Sequence, residues 1–398
     1  MSNLSVRLQN LSESATIAMS AKARELKSKG VDVISLSLGE PDFKTPEYIQ
    51  EAAKNAIDSG DYFAYPPVPG YADLRETIAK KFREQNNLKS SANNIVVSTG
   101  AKQSIANVML SLVDPGDEVI ILSPYWVSYS DIVKVAEGKP VMVSGSLEND
   151  FKANASQLEE AISDKTKLMI FSSPCNPTGS VFSKEELEAM AKVLNKYPDI
   201  MVISDEIYEH INFSGKHYSI GALPGMQDRT ITVNGVSKAF AMTGWRIGFI
   251  TAPEWVAKAC SKIQGQFTSG ASSISQRAAL AALEGDLSPT REMADEYLAR
   301  RNMVYDLLQD IPGVKSYMPG GAFYFFPDVS SFFGSSDGER TIENATDMSM
   351  YLLEKYQVSV VTGEAFGAPN CIGLSYAASR EQLVEALSRI KTAFSKLE

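Results

Sequence analysis

The chain has 398 residues, 44% of them hydrophobic and 22% charged. That is the balance of a soluble globular protein, and its length calls for two domains rather than one core. A net charge of −10 argues against nucleic acid or an anionic membrane as a bulk partner, without bearing on a local cationic pocket.

Three cysteines (Cys175, Cys260 and Cys371) point to a reducing compartment without a disulfide framework. Two histidines (His210 and His217) leave little material for a His-rich metal site or for a scheme with several catalytic histidines. The first stretch, MSNLSVRLQNLSES, lacks the apolar region of a secretory signal, and no later apolar run has the length of a bilayer span. Cytoplasmic residence is the expectation.

From about residue 46 to about residue 287, helical and strand patterns alternate. Short apolar runs occupy 95–98, 119–122, 168–171, 201–204, 230–233 and 247–251, and most close on Ser, Gly, Pro, Asp or Asn. Helix-like stretches such as 102–112 and 184–194 lie between several of them. The pattern predicts an α/β domain over residues 46–288, a mostly parallel buried sheet flanked by helices. In such sheets ligands bind beyond the carboxyl ends of the strands. After Pro289 a long charged helix is predicted to about Asp310. Strands at 322–326, 358–361 and 372–375 then mix with helices, and the last helix opens at Ser379 with Gln382 three positions on, a capping-box signature. This predicts a smaller α+β domain of residues 289–398, with residues 1–45 packing on it or on a partner subunit.

The polar residues that follow the predicted strands carry the chemistry. In VNGVSKAFAMTGWRIG, Lys238 follows Ser237 in a small-residue turn after a strand, where a lysine can form an imine with an aldehyde cofactor. Arg246, eight positions on, suits a phosphate. Alone, an SK pair reads far more readily as a surface lysine on a loop. Asp205 closes the strand MVIS and precedes Glu206, Ile207 and Tyr208. A buried carboxylate facing a pyridine nitrogen would keep it protonated, and Tyr208 could donate to a ring oxygen; alone, DEIY reads as well as a helix cap. SSPCNPTG (172–179) is a rigid turn that would aim the Asn176 amide at the same oxygen, or an ordinary loop, with Cys175 a spacer rather than a nucleophile. STGAKQ (98–103) is a strand, glycine, helix sequence in which Gly100, Ala101 and Lys102 would offer N–H groups to a phosphate, although many such turns bind nothing. Trp126 in SPYWVSY could stack on a planar cofactor or sit in the core. No P-loop and no GxGxxG fingerprint occurs.

Together and in this order, these motifs resemble the class I/II aminotransferases of the pyridoxal-phosphate fold type I family, nearest to the bacterial aspartate aminotransferases. SLSLGEPDF (35–43) and YPPVPGYADLR (65–75) extend the likeness over nearly the whole chain. The resemblance implies that Lys238 holds pyridoxal 5′-phosphate and shuttles the proton. It implies that Asp205 pairs with the pyridine nitrogen, that Tyr208 and Asn176 contact the ring oxygen, and that Trp126 stacks on the ring. The phosphate would be held by Ser237, Arg246 and the turn of Gly100, Ala101 and Lys102, with Tyr65 reaching in from the other subunit of a homodimer with shared active sites. Gly39 would lie beside the substrate carboxylate, Lys102 would meet the distal carboxylate of a dicarboxylic substrate, and Thr16 would lie in a segment closing over that end. No metal is implied.

The implied reaction is a ping-pong transfer of the amino group of an L-amino acid, L-aspartate first, to 2-oxoglutarate. Aromatic, neutral or prephenate-type donors are the alternative. A lyase or acyl-transferring relative would share Lys238 and Asp205, and a cofactor-sensing regulator would need a DNA-binding domain for which no residues are spare. One position departs. Where the family's last strand reads R-L-S-Y-A, with the arginine clamping the α-carboxylate, this chain reads Gly373-Leu374-Ser375-Tyr376-Ala377. Arg380 is expected on the last helix as a solvated charge and does not inherit the role. Either another group takes over, or the substrate lacks a carboxylate there, or the chain is a variant with impaired turnover.

Overall fold

The computed structural model describes residues 4–11 and 15–398. A two-residue strand, β1 (Ile34–Ser35), precedes seven strands that build the central sheet. These are β2 (Ile95–Ser98), β3 (Glu118–Ser123), β4 (Lys139–Ser144), β5 (Thr166–Ser172), β6 (Met201–Asp205), β7 (Thr230–Gly235) and β8 (Gly248–Thr251). Their order is β2-β8-β7-β6-β5-β3-β4, and every neighbouring pair is parallel except the two made by β8. The fold is therefore α/β with a mostly parallel sheet, as the alternating pattern predicts.

The strands are apolar on both sides because helices cover both. In β5, Leu168 and Ile170 join the core beneath the helices Ala101–Leu112 and Glu254–Phe267, whereas Met169 and Phe171 pack with the helix Lys184–Leu194 on the opposite face. Each such aliphatic side chain contributes about 1.5–3 kcal/mol by leaving water. The strand β4 escapes the sequence reading. It stands at the sheet edge with Lys139 and Ser144 exposed, and Pro140 near its start interrupts the apolar pattern, as edge positions tolerate.

The C-terminal part contains β9 (Tyr324–Phe325), β10 (Val358–Ser359), β11 (Val361–Thr362) and β12 (Ile372–Ser375). The expected strand at 322–326 shrinks to β9. The expected strand at 358–361 breaks at Val360 because the chain changes partners there: β10 pairs with β1, and β11 pairs with β12. Thus the N-terminal strand is stitched to the C-terminal part. The charged helix spans Ser288–Gln309, and the last helix, Arg380–Phe394, is capped by Ser379, whose hydroxyl accepts from the Gln382 N–H at 3.3 Å. Among the described residues no helix is long and apolar enough to cross a membrane.

Candidate active site

The carboxyl ends of β3, β5, β6 and β7 lie side by side, with Ser172 of β5 in register with Asp205 of β6 and Asp205 with Val233 of β7. The loops leaving these ends carry Trp126, Asn176, Tyr208 and Lys238 in turn. They face a cavity of about 690 Å³, closed on its far side by the C-terminal part through Tyr324, Val361, Phe366, Gly373 and Ser375.

Asp205 forms the floor. Its carboxylate is buried and accepts hydrogen bonds from the Tyr129 hydroxyl (2.7 Å) and the Ile207 N–H (3.2 Å). Burial raises its pKa to about 6, the two donors pulling the other way. A carboxylate so enclosed is poised for a cationic partner entering from the cavity.

Lys238 projects from the turn after β7 and donates to the Gly39 carbonyl at 2.6 Å. Burial lowers its pKa to about 8, with Arg246 adding to the effect and Glu40 and Asp205 opposing it. The amine is therefore close to its nucleophilic form near neutrality. Gly39 admits no side chain, since a Cβ would strike the Tyr324 hydroxyl. That hydroxyl sits 2.7 Å from the Tyr208 hydroxyl and accepts from the Asn176 amide at 3.2 Å. Burial pushes both tyrosines well above their ordinary range, so they remain neutral donors.

At the other end, Gly100 turns into the helix Ala101–Leu112 with a φ of +83°, left-handed backbone that suits glycine, and a Cβ there would collide with the Arg246 guanidinium. The first N–H groups of a helix have no intrahelical partner, so the Ala101–Lys102 turn and Arg246 together could receive an anion; Ser237 lines the same cavity. The Lys102 ammonium lies 4.9 Å from the centroid of Trp126, in an ion pair with no described residue, its pKa lowered by burial and then by Arg246. Trp126 in turn stands edge-on to Tyr129, with centroids 5.6 Å apart.

Of the residues expected from the sequence, Gly39, Ala101, Lys102, Trp126, Asn176, Asp205, Tyr208, Ser237, Lys238, Arg246 and Gly373 line this one cavity, and Gly100 adjoins it. Tyr65 does not. Its side chain is 92% exposed, beside Phe63 (71%) and on the same surface region as Phe267 (68%). The side chain of Thr16 lies outside the described residues. Arg380 is not simply solvated, for it pairs with Glu296 through two hydrogen bonds (2.9 and 2.5 Å) at the surface, away from the cavity. Cys175 is buried with its thiol pushed up by burial, which agrees with a spacer role.

Tyr129, Tyr324, Glu40 and Phe366 belong to the cavity without having been singled out in the sequence. Directly after Asp205 in the chain begins a buried polar network whose side chains do not line the cavity. There Glu206 accepts from Ser219 (2.6 Å) and His217 lies 2.8 Å away, while Glu209 accepts from Asn86 (2.7 Å) and Asn234 (2.8 Å) and is ion-paired to Lys81. The Glu206, Glu209 and His217 ligand atoms lie within 4.8 Å of one another, but the Lys81 ammonium supplies the positive charge.

The chain matches the family model for aminotransferase class I and II over residues 31–390. It belongs to that family. It is 47% identical to the bifunctional aspartate aminotransferase and glutamate/aspartate-prephenate aminotransferase of Petunia hybrida, over 98% of this chain and 82% of the relative. It is 44% identical to an aspartate/prephenate aminotransferase of Nitrosomonas europaea, over 98% and 100%. Among solved structures, the aspartate aminotransferase of Rhizobium meliloti superposes with a TM-score of 0.96 at 40% identity, covering all of both chains. That of Thermus thermophilus with maleate superposes at 0.92 and 41%, covering 99% and 100%.

Proposed function

We propose that this aminotransferase holds pyridoxal 5′-phosphate in the cavity and moves the amino group of an amino acid to a 2-oxo acid in two half-reactions. The observation that carries the reading is the meeting of a softened lysine, Lys238, and a buried carboxylate, Asp205, in one cavity whose far end could receive an anion. The residues fit the cofactor: the Gly100 turn and Arg246 suit its phosphate, Asp205 its pyridine nitrogen, Asn176 and Tyr208 its ring oxygen, and Trp126 its face.

When bound, the cofactor supplies an aldehyde for covalent capture of amines and a ring that delocalises the electron pair released at Cα. The chain's own residues do the rest. Lys238 would anchor the cofactor covalently and, once released, would move the Cα proton. Asp205, oriented by Tyr129, keeps a positive charge facing it. Trp126 and the C-terminal wall exclude water. Lys102 is the cation left for a substrate carboxylate.

Relatives act on aspartate and prephenate by name, so L-aspartate with 2-oxoglutarate is the first pair to test and prephenate the second. The apolar surface of Phe63, Tyr65 and Phe267 supports a homodimer in which Tyr65 reaches the neighbouring site. Borohydride reduction followed by peptide mapping tests the anchor; attachment at another lysine overturns it. A panel of amino donors assayed with 2-oxoglutarate tests the substrate pair.

A further inference from the structure

The charges of the cavity are unevenly placed. Its described cations are Lys102, Lys238 and Arg246. Arg246 belongs to the anion-receiving end and Lys238 to the covalent anchor, which leaves Lys102, beside Trp126, as the cation free to meet a substrate carboxylate. None of these cations is among the atoms nearest to Gly373. β12 carries Gly373, and a Cβ on it would stand 3.2 Å from the Phe366 ring and 3.7 Å from Phe326. Leu36 and Val361 also line the cavity, Val361 in register with Gly373, and Ser375 donates its N–H to the Leu36 carbonyl. The six arginines of residues 289–398 are engaged elsewhere: Arg300 with Asp42 and Glu296, Arg380 with Glu296, Arg301 with the Pro319 carbonyl, Arg291 with Asp286, Arg340 with Glu354 and Arg389 with Asp32.

An amino acid with two carboxylates on either side of its amine-bearing carbon would therefore find one counter-ion and, against Gly373, aromatic rings in place of a second. Burying a carboxylate without a partner is costly, whereas an alkyl or aryl group gains from the same rings. Replacing the carboxylate on the amine-bearing carbon of aspartate by a methyl group gives 3-aminobutanoate, and by a phenyl group 3-amino-3-phenylpropanoate. Each keeps the remaining carboxylate at the distance aspartate would present to Lys102.

We propose that this chain takes 3-amino acids with an apolar substituent at C3 as amino donors, the single carboxylate on Lys102 and the substituent against Gly373 and Phe366. The proposal rests on the reading of Lys238 and Lys102 given above. The step is the ordinary half-reaction. The C3–N bond is broken and the C3 hydrogen leaves as a proton. C3 is oxidised to a ketone with oxygen from water, and the aldehyde carbon of the cofactor is reduced by the same electron pair as it becomes the amine.

The test uses the cofactor-loaded protein. Single-turnover absorbance changes are recorded with 3-aminobutanoate, 3-amino-3-phenylpropanoate and L-aspartate, and binding of the unreactive acids 3-phenylpropanoate and maleate is measured by calorimetry. The expected result is that at least one 3-amino acid matches or exceeds aspartate, and that 3-phenylpropanoate binds at least as tightly as maleate. Lys102→Gln should weaken 3-phenylpropanoate about tenfold or more, as loss of one charge-assisted contact does. Gly373→Arg should reverse both preferences. Aspartate favoured over both 3-amino acids by tenfold or more, or 3-phenylpropanoate binding indifferent to Lys102→Gln, overturns the proposal. A protein that forms no borohydride-reducible bond at Lys238 overturns the catalytic reading instead, and the calorimetric comparison still decides the donor pocket.

Discussion

The Tyr129 hydroxyl donates to Oδ2 of Asp205 at 2.7 Å, and both groups are buried on the cavity floor. Tyr129 follows Trp126 by three residues, so one short segment provides both the cavity's flat aromatic wall and the hydrogen bond that orients its acid.

That pair gives a pH dependence in the cofactor-free protein. Asp205 has a folded-state pKa of about 6, raised from 3.8 mainly by burial. Between those values the unfolded chain has released the proton and the folded chain has kept it, so stability falls as pH rises through this window and levels off above it. Asp205→Asn removes the titration. The stability advantage of the wild type over this variant should shrink by on the order of 2 kcal/mol between pH 4 and pH 7. In a Tyr129→Phe background, which lacks one donor to the carboxylate, the decline should extend to higher pH. Chemical unfolding at a series of pH values measures both; a flat difference across the window counts against the burial argument.

Lys238 sets a second window. Its amine is held at about 8, chiefly by burial, and only the neutral amine attacks an aldehyde. The rate at which cofactor-free protein captures pyridoxal phosphate, followed by absorbance in stopped flow, should rise with pH around a midpoint near 8 instead of the usual 10.5. Lys238→Ala should abolish the chromophore. A rate still climbing steeply through pH 10 would contradict the perturbed amine.

The stability of the buried network that begins after Asp205 depends on Lys81. It and Glu209 are about 5% exposed and ion-paired, and although burial works against ionisation of Glu209, Lys81 and the neighbouring histidines hold it down at about 2. Lys81→Met leaves that carboxylate buried without its lysine, and breaking a buried ion pair from one side typically costs about 3–5 kcal/mol. The double variant Lys81→Met, Glu209→Gln should recover part of the loss. Equilibrium unfolding of the two variants decides it, and a Lys81→Met protein as stable as the wild type would show that the network relaxes or admits water.

Most of the residues readable in the sequence lie within a few positions of a strand's carboxyl end; Arg246, just before β8, and Gly373, inside β12, do not. Asp205, Tyr208, Asn176 and Lys238 follow β6, β5 and β7 directly, so the local motif and the topology of a parallel sheet place them together. Tyr324 and Phe366 reach the cavity from the other part of the chain. In the run Phe323–Phe326, all four rings are buried, and only the pairing of β9 with β12 decides that the Tyr324 hydroxyl meets Tyr208. The split of 358–361 into β10 and β11 is equally tertiary, since the same apolar run serves two sheets. Gly373 was legible as a departure from a motif, but the apolar character of its surroundings was not.

The proposed homodimer with shared sites would account for an otherwise unfavourable surface. Tyr65 is 92% exposed, with Phe63 at 71% and Phe267 at 68%. The segments that carry them are tied together, the Gln264 amide donating to the Val68 carbonyl at 2.7 Å and the Ser273 hydroxyl to that of Ala64 at 3.3 Å. Rings held on fixed backbone and left in water are suited to burial against a second copy. If Tyr65 serves the partner's site, a hybrid of one Tyr65→Phe chain and one Lys238→Ala chain contains one site with both native residues and one with neither. The Lys238→Ala homodimer should be inactive and the Tyr65→Phe homodimer should hold the cofactor more weakly. Random exchange of equal amounts makes half the dimers hybrids, each with one intact site, so tight-binding sites should appear at about a quarter of the total. Cofactor retention after gel filtration counts these sites without relying on turnover. Retention equal to the average of the two parents after subunit exchange would place Tyr65 outside the partner's site, and a single-chain species with full retention in sedimentation would remove the dimer altogether.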